Sequence, residues 1–428
     1  MKIKFSKKFL SLFLVLALSL SGVVAFADEG DWTTRPVTLN LWHNSDRVEY
    51  VETVEKYYKE LYPNVTLNHS YYTSAELKTN IPIAAASGTL PDVFLKPNGA
   101  ICKSLSDAGK AMDLTPIAER DNWNDKYFSW VLDQDRVEGN GKLSQLDFFY
   151  QVFACLYRTD VLEAIGGKIP TTMAEFEELC DLALEKGYIP IALGGSSGTH
   201  VLRLWSSLLE MYAGSDLLDS LFALEDDWNN EAVINTFNKL KKWYDKGYFS
   251  EGFLTYGPND ARILLYTGKA LLTFDSASIF GNIRRDFGTV EQYDFFQLPR
   301  DEGNGGTRLF SDLQGYMLNS QMSDDQLNAA IQWLYMWDSQ EIEEIHDKAI
   351  IWSIQKDSAL QDWAVTATNS ITKIVEENGT TANYDIQLPE EIYNTLADVN
   401  EQVLLGTMSA ADAASTIQKV IDEYQAKK

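Results

Sequence analysis

Apolar positions first alternate and then recur every three or four residues, and this switch repeats along the chain. Val37, Leu39 and Leu41 alternate with polar neighbours, which predicts a strand ending in the polar tip Trp42-His43-Asn44-Ser45-Asp46-Arg47. Val48, Val51, Val54, Tyr58 and Leu61 then fall on one helical face that Pro63 ends. Val65–Tyr72 repeats the strand pattern, 74–86 the helical one up to Gly88, and 92–95 is a short apolar strand behind Pro91. A helix over 100–108 stops at Gly109, and a Trp/Tyr-rich helical stretch spans 122–135. Strands alternating with helices call for a parallel sheet with helical cover.

A second unit of the same kind starts near 148–157. Helix 173–185 follows an N-cap at Thr171 or Thr172, and strand 189–193 runs into Gly194-Gly195-Ser196-Ser197-Gly198. Helices 200–212, 230–246 and 260–267 each end near a glycine, as helix C-termini prefer. Strands are predicted at 270–274, 293–297 and 316–318. From 324 onward the pattern is helical: 324–337, 339–348, 357–377, 389–405 and 409–427. The order predicts two α/β lobes joined by several crossings.

The first 27 residues change the picture of where the chain works. Lys2, Lys4, Lys7 and Lys8 precede an apolar run from Phe9 to Leu20, and Ala25-Phe26-Ala27 fits a small-x-small cleavage site. This reads as an export signal cleaved near Ala27, and the run is too short for a membrane anchor. Leu20-Ser21-Gly22 is followed by Val23, not by the cysteine that a lipoprotein signal needs. The product is thus expected in the periplasm, or extracellular and associated with the cell envelope.

Cleavage removes four lysines and no acid, so the net charge moves from −26 to −30. That acidity disfavours nucleic acid and anionic membranes as partners. Cys102, Cys155 and Cys180 form no paired framework and are expected as three buried thiols.

The four histidines lack metal-ligand spacing, there is no Gly-x-Ser-x-Gly elbow, and the glycine-rich 194–198 lacks the Lys-Ser/Thr ending of a phosphate loop. No catalytic residue, cofactor or metal is therefore assigned. Binding fits better: 11 Trp and 21 Tyr are present, several beside polar groups at strand ends. A flat ring stacks on the apolar face of a sugar while amides, carboxylates and guanidinium groups bond its hydroxyls.

Several segments carry a family resemblance. Val37–Trp42 with the following helix and Tyr62-Pro63-Asn64-Val65 resembles a strand, acceptor loop, helix and "YPnV" opening. Ala85-Ala86-Ser87-Gly88-Thr89-Leu90-Pro91-Asp92-Val93 matches an "aa-sG-PDV" segment, and Gly109–Thr115 a "Gk-xx-DLT" turn. Leu156-Tyr157-Arg158-Thr159-Asp160 with Pro170–Phe176 is similar to "lyYNkdlf…PkTWdEf", although Met173 replaces Trp and Arg158 replaces Asn. Tyr266–Leu272 is similar to "f-sGkaAm". In order and spacing these resemble family 1 of the extracellular solute-binding proteins, the maltose-binding-protein-like sugar receptors of ABC importers.

The resemblance implies a two-lobe periplasmic-binding-protein fold of the class II type. Lobe 1 is expected from 37–147 plus 276–322, and lobe 2 from 148–275 plus 323–428. A sugar or small oligosaccharide is expected in the cleft, with ABC permease subunits as partners and a monomeric receptor; the alternatives are another polar solute or a secreted carbohydrate-active enzyme. Asp46 and Arg47 fall where the family places sugar contacts, and Trp42, His43 and Asn44 adjoin them.

Lys96 and Asn98 follow the Pro-Asp-Val strand. Lys96 stands where relatives often carry an aromatic, which points toward a smaller or charged saccharide. His200, Asp275, Ser276, Ser278 and Asp312 are expected from the second wall and the returning crossing, and Trp352 as a stacking platform. Trp205 and Trp333 are expected in the core.

Overall fold

The computed structural model describes residues 31–97, 99–196, 198–276, 279–339, 342, 352–356 and 365–427. The first sheet is built from β1 (Val37–Asn44), β2 (Val65–Tyr72), β3 (Val93–Leu95) and β4 (Gln145–Val152). The second takes β5 (Ala154–Arg158), β6 (Ile189–Ile191), β7 (Ala270–Asp275) and β8 (Tyr293–Phe296). The chain then returns to the first sheet with β9 (Leu309–Leu318), β10 (Trp352–Ser353) and β11 (Thr380–Ala382).

In the first sheet the order is β10-β4-β9-β3-β1-β2, with β11 on the beginning of β9. The second runs β6-β7-β5-β8. Two hydrophobic cores form: one around Leu39, Leu41, Val93 and Trp333, which also takes in Leu156, Tyr293 and Phe295 on one face of the second sheet, and the other around Phe176, Trp205 and Trp243. Trp205 and Trp333 are core residues as expected, both 0% exposed.

Three short crossings join the lobes: β4 into β5 through Phe153, β8 into β9, and the return through β11 toward Tyr384. They tie to one another. The Phe153 N–H donates to the Phe310 carbonyl at 3.1 Å, and the Asn383 N–H to the Ser311 carbonyl at 3.0 Å. A hinge of three hydrogen-bonded strands restricts relative motion of the lobes to a few backbone torsions.

Register decides which loops face each other. β9 starts at the hinge and pairs antiparallel with β3, so the carboxyl end of β3 points back to the hinge, as do those of its parallel neighbours β1 and β2. Across the hinge, Asp275 at the end of β7 is registered with Ala154 at the start of β5, and β6 is parallel to β7. The loops after β1, β2 and β3 therefore oppose those after β6 and β7. This is the end of a parallel sheet where ligands settle.

The division of the C-terminal part differs from expectation. Residues 323–428 are expected in lobe 2, but the helix Asp324–Met336 packs on the first sheet; likewise β8, expected in lobe 1, pairs with β5 in the second sheet, and 148–152, expected in lobe 2, belong to β4 of the first. Tyr58 donates its hydroxyl proton to the Ala329 carbonyl at 2.8 Å, Tyr62 to Gln332 at 2.9 Å, and Ile331, Trp333 and Trp337 join the first core. The helices Glu390–Leu404 and Ala410–Gln425 pack in the second core. Parts of the expected helices 339–348 and 357–377 lie outside the described residues, as does the signal segment. Cys102, Cys155 and Cys180 are buried free thiols, as expected.

Candidate functional site

The central strands reveal the opening. β3, β4 and β9 are covered on both faces, except that Gln151, Asp312 and Gln314 are half-buried. Asp312 and Gln314 share a face by the two-residue period, and Gln151 is registered opposite Asp312. Phe149, opposite Gln314, carries the Arg47 guanidinium 4.8 Å above its ring. These side chains form a polar floor beside the hinge with an aromatic edge. The half-buried Trp42, which packs on Tyr72 with ring centroids 5.0 Å apart, lies on the other face of the sheet, because it is registered with Phe94 and Phe94 with Met317, which alternates with Gln314 and Asp312.

Several expected contacts are committed inside the protein instead. His43 is 0% exposed; its Nδ1 lies 2.7 Å from the Tyr316 hydroxyl and its Nε2 2.8 Å from His69 Nδ1. Burial, reinforced by His69, holds its pKa well below the ordinary value, so it is neutral. Asn44 is buried and donates to Ser74 Oγ at 2.7 Å. His200 is fully buried, with Nδ1 accepting from the Gly194 N–H at 3.2 Å, and burial lowers its pKa to about 4.

Lys96 does not reach the cleft as a free cation. Its ammonium lies 3.0 Å from Asp147, 3.1 Å from Glu138 and 3.9 Å from Asp135, with 4% of the side chain exposed. Burial opposes its charge, but the surrounding carboxyls hold it protonated. Burial and the neighbouring Asp147 push the Asp135 carboxyl well above the usual range. Burial raises the Asp147 carboxyl as well, against the pull of Lys96.

On the second wall Asp275 is 1% exposed and accepts from Arg262 Nε at 2.7 Å and Nη2 at 3.2 Å. Burial alone would raise its pKa, yet Arg262, His200 and Arg203 bring it down to about 2. Ser276 is equally buried, and its N–H donates to Asp275 at 2.9 Å.

The remaining expectations divide between partly and wholly outside the described residues. Asp46 lies in the 3₁₀ turn Ser45–Arg47, and Trp352 pairs with Tyr150 through β10, but neither side chain is among those described. Asn98 and Ser278 lie outside the described residues.

The glycine-rich loop after β6 adds a feature that the sequence reading did not use. A Cβ on Gly194 would come within 2.4 Å of the Gly257 carbonyl, and Gly198 has φ +71° with Ala397 2.9 Å from its missing Cβ. Glycine lets the loop lie flat against these neighbours. Beside it Ser196, Tyr393, Asn394, Asp398 and Glu401 line a polar cavity of about 370 Å³. A larger cavity of about 620 Å³ lies between the helix Ser129–Glu138 and Asp219–Ala223. It is on the other face of β9, since Ser311 points to Gln134 of that helix with a 2.7 Å hydrogen bond.

Among the described residues no group of three or more His, Cys, Asp or Glu could hold a metal ion. The site is one of amides, a carboxylate, a guanidinium and aromatic edges between two hinged lobes. That architecture, two hinged lobes with a polar opening beside the hinge, is of the two-lobe class.

The profile of bacterial extracellular solute-binding proteins matches residues 44–339, and the chain belongs to that family. Over 226 residues it is 24% identical to an uncharacterised ABC transporter extracellular-binding protein of Pyrococcus horikoshii, a match spanning about half of either chain, 51% and 52%. A chitin oligosaccharide binding protein superposes with a TM-score of 0.76 at 22% identity, covering 90% of this chain and 98% of that one. The sugar-binding protein MalE from Xanthomonas citri gives 0.74 at 16% identity, with 91% and 98% covered. At these identities the likeness concerns the fold.

Proposed function

We propose that this protein captures a sugar or small oligosaccharide between its lobes and delivers it to the permease subunits of an ABC importer. The observation that carries this is the polar floor Gln151, Asp312 and Gln314, opened in otherwise covered strands and edged by Phe149 with the Arg47 guanidinium above its ring. Amides and a carboxylate bond hydroxyl groups in both directions, and ring edges cover the C–H face of a pyranose. Closure follows from better contacts in the closed form, with no covalent step.

Arg47, Asp46 and Trp352 join this floor in the reading, and Tyr393 and Asn394 supply the far wall. The sugar-binding relatives support the ligand class. The receptor acts as a monomer after export and cleavage near Ala27, in the periplasm or the extracellular envelope. Membership of the extracellular solute-binding family and the signal-like N-terminus support that location. No cofactor or metal enters the reading.

Intrinsic fluorescence and thermal-shift titrations over a saccharide panel test it. One saccharide should stabilise the fold strongly while chromatography shows it unchanged, because a ligand specific for the folded state raises stability by mass action. Turnover of a glycoside would favour a secreted carbohydrate-active enzyme, and a response to a non-sugar solute another receptor type.

A further inference from the structure

Arg203 stands out among the charged groups of the second wall. It lies in the first turns of the helix Thr199–Ala213, which leaves the glycine-rich loop at the hinge-facing end of β6. Its guanidinium carbon sits 4.2 Å above the Phe153 ring. Phe153 is two residues beyond Gln151 in an extended crossing and so shares its face, which puts Arg203 on the cleft side of the hinge. The side chain is 16% exposed, and Nε is buried with no hydrogen-bond partner among the described residues. Its nearest carboxylate oxygen, on Asp275, is 3.7 Å from Nη1 and already bonded to Arg262.

The charges around it do not balance. Asp275 is one anion between two guanidinium groups, Arg203 and Arg262, and His200 beside it is neutral. Arginine cannot shed its proton to relieve this, as a lysine or histidine could. A half-buried guanidinium without an acceptor is costly, and a carboxylate meets its fork with two charge-assisted bonds. A neutral hydroxyl would fill one donor and leave the surplus charge. Asp312, the carboxyl of the floor, belongs to the opposite lobe.

Resting on the saccharide reading above, we infer that the receptor selects an acidic saccharide, with Arg203 clamping the carboxylate of a uronate residue. Arg203 is then the residue that sets specificity within the cleft.

The test is calorimetric titration with glucuronate, galacturonate and digalacturonate against glucose, galactose and galactobiose, on the wild type, Arg203→Gln and Arg203→Lys. At least one uronate should bind about tenfold or more tightly than its neutral twin, as charge-assisted pairing allows. Arg203→Gln should erase that preference, and Arg203→Lys should keep part of it. Near-equal binding of the twins to the wild type, or a preference that survives Arg203→Gln, overturns the inference even if one variant fails to fold. Neutral sugars bound with no uronate preference would leave the saccharide reading standing; no binding of either set would contradict both.

Discussion

Each lobe carries an ionic cluster at the hinge-facing end of a strand, and the two are imbalanced in opposite directions. After β3, Lys96 faces Asp135, Glu138 and Asp147, one cation for three carboxyls. After β7, Asp275 faces Arg203 and Arg262, one anion for two cations. The first imbalance is settled internally, because a buried carboxyl can keep a proton, as Asp135 does. The second cannot be settled that way. One cluster is a structural keystone of its lobe, and the other has a valence left for something outside the chain.

This contrast is broken most severely at Lys96. Lys96→Met should cost about 3–5 kcal/mol, the usual loss when one partner of a buried ion pair is removed. Denaturant unfolding at neutral pH measures it. The deficit should shrink as pH falls, because protonation removes the uncompensated carboxylates; a deficit independent of pH would mean that Lys96 contributes packing only.

The neutral histidine of the second cluster gives the next effect. The folded-state pKa of His200 is lowered to about 4 from the ordinary 6.5, so the unfolded chain binds the proton first. Its contribution is complete above pH 6.5 and is lost as pH falls toward 4. At about 1.4 kcal/mol per unit, that is on the order of 3 kcal/mol by pH 4. Melting curves across this range should show the slope, and His200→Gln should flatten it. Asp275, with its pKa near 2, adds a further loss only below the ordinary carboxylate range.

Arg262→Met removes the two bonds that Arg262 gives to Asp275 and should cost about 1.5–3 kcal/mol in thermal unfolding, the range for bonds to charged groups. It also frees Asp275 to pair with Arg203. In a uronate receptor this should weaken the ligand as well as the fold, which sharpens the assignment of the surplus charge. The smallest effect belongs to the floor. Gln151→Ala should leave the melting temperature nearly unchanged and weaken saccharide binding by about 0.5–1.5 kcal/mol, one neutral hydrogen bond.

Much of the fold was legible because its elements obey their periods. Val37–Asn44, the helix behind it and Val65–Tyr72 fall where alternation and the helical stripe predicted. β9 was not legible: 316–318 was expected, and the strand spans Leu309–Leu318. Its missing half carries Ser311, Asp312, Gln314 and Gly315, polar or small residues that break the apolar signature of a central strand. Two of them, Asp312 and Gln314, are the half-buried positions of this strand, so the weak signal coincides with the opening on which the proposed site rests.

The candidate residues divide by the same logic. Residue type and position along the chain single out Arg47, Asp312 and Trp42 as candidates, but do not say whether a side chain turns inward. Lys96, His43 and His200 turn inward, because their partners Asp147, Tyr316 and Thr273 come from distant parts of the chain. Arg203 was missed for the converse reason. It sits within an apolar helix, and only the fold places it on Phe153 beside Asp275.

In the proposed cycle a solute closes the two lobes over the floor at Gln151, Asp312 and Gln314. Small-angle X-ray scattering during a saccharide titration measures this directly. A saturable fall in radius of gyration is expected with the saccharide that stabilises the fold, and a higher midpoint for Gln151→Ala. A ligand that stabilises the protein while the radius stays constant, in wild type and variant alike, would contradict it.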